Sequence, residues 1–139
     1  MAKTVLKYGD EEFDFLLIGI ATTYRDFRVC REINQALSIE MVRVDDYLIY
    51  DPKREEDIPF PFFEFCNEQE DRYHLIGNKS DRGLLVSEQK NLDFFLLVKP
   101  GQSELDVTEI AQRIKPLRMF QGVFVLDPIK LKSKEYLLF

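Results

Sequence analysis

The chain has 139 residues, 45% hydrophobic and 32% charged, with 19 Lys+Arg against 25 Asp+Glu for a net charge of −6. These are the values of one globular domain over residues 1–139, and they exclude a disordered, collagenous or coiled-coil chain. A pI near 4.9 argues against a nucleic-acid binder or a protein held on anionic membranes.

Residues 1–8 contain no apolar core and no small-residue cleavage site, so they do not read as a signal peptide. The longest apolar run, residues 15–21, is far short of the roughly 20 residues that cross a bilayer. It reads as a strand. A helix should follow, capped by Thr22 or Thr23 and running to Leu37, with Val29, Cys30, Ile33, Ala36 and Leu37 on its inner face. Arg28, Arg31, Glu32 and Gln35 fall on the opposite face. Residues 41–50 read as a strand whose alternation changes phase at Asp45-Asp46, the mark of a bulge or tight bend. Residues 51–61 form a charged, proline-punctuated loop.

A hairpin is expected next, from residues 62–66 and 72–76 around the polar turn 67–71. Asn78-Lys79-Ser80 matches a glycosylation acceptor but reads as a turn. Residues 94–98 repeat the character of the first strand. Ser103-Glu104-Leu105-Asp106 has the form of a capping box, and Val107, Ile110, Ala111 and Ile114 make the apolar stripe of a second helix that Pro116 stops. Val123-Phe124-Val125 is a last strand before a lysine-rich loop and the apolar residues 136–139. Cys30 and Cys66 are expected as buried free thiols, which with the missing signal points to the cytoplasm.

Phe15 and Leu37 recur as Phe95 and Leu117 at an offset of 80, so the chain holds two strand–helix–strand units. Two such units in one sheet predict an α+β, ferredoxin-like sandwich with an inserted β-hairpin at residues 62–76. Both helices then cover one face, while the central strands carry apolar side chains on both. The hairpin is expected over part of the second face, and a second copy over the rest, in a homodimer.

Chemistry-bearing patterns are sparse. His74 is the only histidine, and no Ser or Cys motif accompanies it. The chain has no zinc spacing, Walker loop or dinucleotide glycine fingerprint, so no catalytic residue, metal or cofactor is expected. Three weaker features remain. Gly101 and Ser103 lie in a strand-to-helix turn, where free N–H groups can hold an anion. Arg25, Arg28 and Arg31 line the outer side of the first helix, either as a solvated face or as a partner contact. Lys130, Lys132 and Lys134 suit phosphate or a solvated tail.

Val86-Ser87-Glu88-Gln89-Lys90-Asn91-Leu92-Asp93-Phe94 resembles the signature of the bacterial IPExxxVDY family. Glu88 and Asp93 match it, Val86, Leu92 and Phe94 replace its Ile, Val and Tyr, and Ser87 stands where it has proline. Leu17 to Ile20, Ile76 to Lys79 and the ending around Asp127-Pro128 are also similar. The resemblance implies a family without an assigned activity. Glu88 and Asp93 read either as turn-bracing acceptors or as an acid/base pair, and the absence of a third member favours bracing. The expected function is a non-enzymatic interaction or adaptor domain for an unidentified protein partner. The alternative, by analogy of fold, is an ACT-like small-molecule-binding regulatory domain.

Overall fold

A computed structural model describes residues 10–139, so the reading of residues 1–8 lies outside the described residues. Uncharged LLIGIAT forms β1 (Leu16–Thr22), and α1 (Asp26–Leu37) follows it. Four short strands come next: β2 (Val42–Arg43), β3 (Tyr47–Asp51), β4 (Glu56–Phe60) and β5 (Phe62–Cys66). They lead into β6 (Arg72–Gly77), the short pair β7 (Lys79–Ser80) and β8 (Gly83–Leu84), and β9 (Phe94–Lys99). Helix α2 (Val107–Ile114) and strand β10 (Phe120–Leu126) complete the regular elements.

One six-stranded sheet has the order β10-β1-β9-β6-β5-β2, with every neighbouring pair antiparallel. The architecture is α+β. The two most apolar runs are neighbours, as expected, with Leu16 opposite Val98 and Ile20 opposite Phe94. Strands β9 and β10 run parallel with β1 between them, joined by α2.

The absence of alternation in β1 and β9 sets the layering, because each strand must be covered on both faces. Ile18, Ile20, Leu96 and Val98 pack beneath Val29 and Ile33 of α1 and Ile110 and Ile114 of α2. Leu17, Phe95 and Leu97 point the other way, into a second core with Phe13, Phe60, Leu85 and Leu137.

That second core corrects several expectations. The hairpin at residues 62–76 is not an insertion laid over the sheet. Its strands β5 and β6 are part of the sheet, and β6 is buried from Tyr73 to Gly77. The cover comes from the 3₁₀ turn Asp10–Phe13, the β3–β4 hairpin, the connection before β9 and the C-terminal 3₁₀ turns. The chain thus closes the face for which a second copy was expected.

Residues 41–50 are not one strand. The phase change at Asp45-Asp46 separates β2 and β3, which belong to different sheets. The expected loop at 51–61 contains β4, whose Ile58 and Phe60 point inward while Asp57 is exposed. Its charges and prolines hid that alternation, because Pro59 is tolerable only in so small and peripheral a sheet. The helices also begin later than expected. Thr22 ends β1, its hydroxyl donating to Met119 O at 2.7 Å, and the N-cap of α1 is Arg25, without a side-chain cap bond. For α2 the cap is Asp106, which accepts from Thr108 N. Of the two free cysteines, Cys30 is buried and Cys66 is exposed, a position at the end of β5 that the apolar neighbours Phe63 and Phe65 concealed.

Because the second layer is part of the core, Phe60→Ala should cost about 3–5 kcal/mol. Urea unfolding measures this, and a loss below about 1 kcal/mol would mean that the layer is only loosely attached.

Candidate functional site

Residues 86–93 are built around Asn78, which the sequence placed only in a turn. Asn78 is completely buried where β6 ends. Its amide donates to Gln89 O at 2.9 Å and Leu92 O at 2.8 Å, while its oxygen accepts from Val86 N at 2.7 Å. A buried amide with three partners fixes the shape of residues 86–92. The only sequence signal was the polar residue closing the apolar run Leu75-Ile76-Gly77, and its glycosylation-like setting pointed to the surface instead.

This loop directs Glu88 and Asp93 to different partners. Asp93 accepts from Thr22 N at 2.8 Å and pairs with Lys79 Nζ at 2.8 Å, tying the end of β1 to β7. Glu88 accepts from the Ser133 N–H at 2.9 Å and hydroxyl at 2.8 Å, tying the loop to the C-terminal segment. Partial burial raises the Glu88 pKa, but the bonds from Ser133 outweigh it and hold the carboxyl below its ordinary range. Both carboxylates act as braces.

The turn that carries Gly101 and Ser103 is occupied by the chain itself. Buried Asp71 accepts from Gly101 N at 2.7 Å and Asn67 Nδ2 at 3.0 Å, and Ser103 bonds to it as well. Burial raises its pKa, yet the bonds from Asn67, Ser103 and Gly101 together leave it below the usual carboxylate range. A Cβ at Gly101 would stand 2.4 Å from the main chain of Gln69 and Glu70, so the turn requires glycine. The anion expected here is the Asp71 carboxylate, and no N–H group of Gly101 is left for an external one.

Arg25, Arg28 and Arg31 are far from that turn, all exposed on α1. Arg28 pairs with Glu32 at 3.4 Å and lies over the Tyr24 ring at 5.6 Å from its centre. Beside them Phe27 is 65% exposed, its ring meeting Phe63 edge-on at 5.7 Å. An open groove of about 400 Å³ separates α1 from β2, bordered by Phe27, Arg31, Gln35, Val42 and Arg43. Val42 is 59% exposed. The lysine tail makes internal contacts, since Lys134 donates to Ile129 O and lies over Phe13.

His74 is buried between aromatic rings, stacked on Phe62 at 5.4 Å with Phe139 edge-on at 5.0 Å. Burial, with Lys99 and Arg72 nearby, lowers its pKa to about 4, so it is neutral at pH 7. Burial likewise pushes the Cys30 thiol up to about 11. Among the described residues no three His, Cys, Asp or Glu side chains are grouped to hold a metal, and no helix is long and apolar enough to cross a membrane. No protein-family model, curated protein or solved structure matches the chain.

Asp93→Asn should cost about 1–2 kcal/mol and Glu88→Gln, in its more exposed position, about 0.5–1 kcal/mol, both by denaturant unfolding. A stability unchanged in both variants would remove the bracing role. A second outcome concerns pH. An unfolded histidine binds its proton near pH 6.5, whereas folded His74 stays neutral down to about 4, so stability falls as pH drops through that window. His74→Phe should flatten this part of the stability curve, and an undiminished slope would mean that His74 is not its source.

Proposed function

We propose that the chain is a non-enzymatic protein-interaction or adaptor domain whose docking surface is the groove between α1 and β2. The observation that carries this reading is the composition of that surface: exposed Phe27 and Val42 beside Arg31 and Arg43, with Glu40 the one acidic residue of the lining. Aromatic and arginine side chains dominate binding energy at protein interfaces, because each buries a large area and arginine adds directional charge. Two arginines against the single acid Glu40 in that lining, on a chain of net charge −6, favour a partner segment that is acidic around an apolar anchor.

In this reading the order β10-β1-β9-β6 is a ferredoxin-like core extended at one edge by β5 and β2. The signature carboxylates Glu88 and Asp93 support membership of an IPExxxVDY-like family. Their role as braces agrees with a motif that maintains a fold. Each protomer of a homodimer carries one such groove, so the assembly presents two.

Affinity capture from a native bacterial lysate, comparing the wild type with Phe27→Glu and Arg31→Glu, tests the surface. A partner retained by the wild type should be lost by both variants and kept by Lys53→Glu, a change in the exposed turn between β3 and β4. Equal retention by all four proteins would place the docking surface elsewhere.

A further inference from the structure

We propose that β10 pairs antiparallel with β10 of a second copy of this chain, joining the two six-stranded sheets into one across a two-fold axis. The proposal deepens the homodimer of the preceding reading by naming its surface, and it is independent of the α1 groove, which lies toward the opposite end of the sheet order.

The two edges of the sheet differ in kind. At the β2 edge, the Asn34 side chain imitates a neighbouring strand. Its Nδ2 donates to Met41 O at 3.0 Å and its Oδ1 accepts from Met41 N at 2.9 Å. The edge is also only two residues long. These are the usual protections of a sheet edge.

Among the described residues the β10 edge has neither protection. Asp93 N donates to Ile20 O, so the main-chain groups of the even-numbered β1 residues face β9. Those of Leu17, Gly19 and Ala21 therefore face β10, opposite Leu126, Phe124 and Gly122. The N–H and C=O groups of Val123 and Val125 consequently point outward, and no described residue bonds to them. From Phe120 to Leu126 the strand carries no charge and no proline. Phe124 is 50% exposed on one face and Val125 47% on the other. A neutral, apolar, unpaired strand edge is a template for another strand.

Its sequence fits its own copy. With Val123 opposite Val123 on the axis, Gln121 stands opposite Val125 and Val125 opposite Gln121. The Val123 pair exchanges two main-chain hydrogen bonds, and each Val125 presents its outward N–H and C=O to the Gln121 end of the other strand. Between them Phe124 stands opposite Gly122 on both sides of the axis. The Phe124 ring already leans over its own Gly122, where a Cβ would lie 2.6 Å from it, and the second glycine opposite presents no side chain against it. Exposed Arg118 and Asp127 flank the strand, so antiparallel pairing brings each Asp127 toward the Arg118 end of the other copy. Parallel pairing would set like charge beside like. The bulge opposite Ala21 and Thr22 leaves Gln121 as the extra residue of β10 and limits its regular stretch to residues 122–126.

Two variants of the full chain test the proposal. Val125→Pro removes an outward N–H that no bond within the sheet uses, and Val125→Lys places a charge on the edge. Sedimentation across micromolar concentrations should show the wild type rising from 16.5 kDa toward twice that mass. Both variants should remain at the single-chain mass with a native circular dichroism spectrum; if the proline variant misfolds, the lysine variant decides. Hydrogen exchange at the Val123 and Val125 amides should slow as wild-type concentration rises. A wild type that stays monomeric, a folded Val125→Lys that dimerises like it, or edge amides protected equally at every concentration would each overturn the proposal. The last result would show the edge to be covered within one chain. Loss of dimerisation leaves partner capture by the α1 groove unaffected, so the two readings fail separately.

Discussion

The fold depends on the double-sided burial of its two central strands. β1 and β9 contribute large aliphatic or aromatic side chains to both faces, and Ile18, Ile20, Phe95, Leu96, Leu97 and Val98 reach complete burial. Each such side chain is worth about 1.5–3 kcal/mol out of water, so exposing either face would forfeit much of the stability of a domain this size. Two helices can cover only one face. The other needs a second layer, and the chain makes it from pieces too short to fold alone: a 3₁₀ turn, a two-stranded hairpin and a C-terminal segment. These pieces gain order only by lying on the sheet.

Irregular segments packed on a core bring main-chain polar groups with them, and those groups need partners. Buried Asn78 and Asp71 supply them, one for the connection before β9 and one for the turn after it. Asp93 and Glu88 extend the same device outward to β1 and to the C-terminal segment. β9 is therefore gripped at both ends by side-chain oxygens and amides. Glu88 and Asp93 belong to this system of main-chain partners.

Much of this was legible in the residues. The uncharged runs marked the central strands, which the expected topology made neighbours, but the strand at Val42 that was to close the first strand–helix–strand unit lies at the far edge of the sheet as β2. The stripe Val107, Ile110, Ala111 and Ile114 marked α2, because a 3.6-residue period is set by local geometry alone. The second layer was not legible. In β4 only Ile58 and Phe60 face inward, and two inward positions among Glu56, Asp57 and Pro59 cannot be told from a loop. The caps failed for a related reason. Thr22 and Ser103 have the right chemistry, but the helices begin four residues further on, leaving the Thr22 hydroxyl to donate to Met119 O and accept from Tyr24 N, and Ser103 to bond Asp71. Likewise the free N–H groups at Gly101 were correctly placed, while the acid that satisfies them comes from 30 residues earlier in the chain.

These commitments bear on function. Proton transfer near neutral pH calls for a group whose pKa lies near 7, and the two most obvious candidates are moved away from it. Burial takes His74 to about 4 and the Cys30 thiol to about 11, in opposite directions for a base and an acid. Asp71, Glu88 and Asp93 are each engaged by donors of the chain itself. What the fold leaves exposed is surface: Phe27, Arg31 and Val42 beside α1 and, among the described residues, the outer edge of β10. Those two regions lie toward opposite ends of a rigid sheet, so occupying one need not obstruct the other. A sheet extended through β10 would carry a groove near each outer end, holding two bound segments at a fixed separation. A partner with two such segments would then bind more tightly than one groove allows, without any new contact.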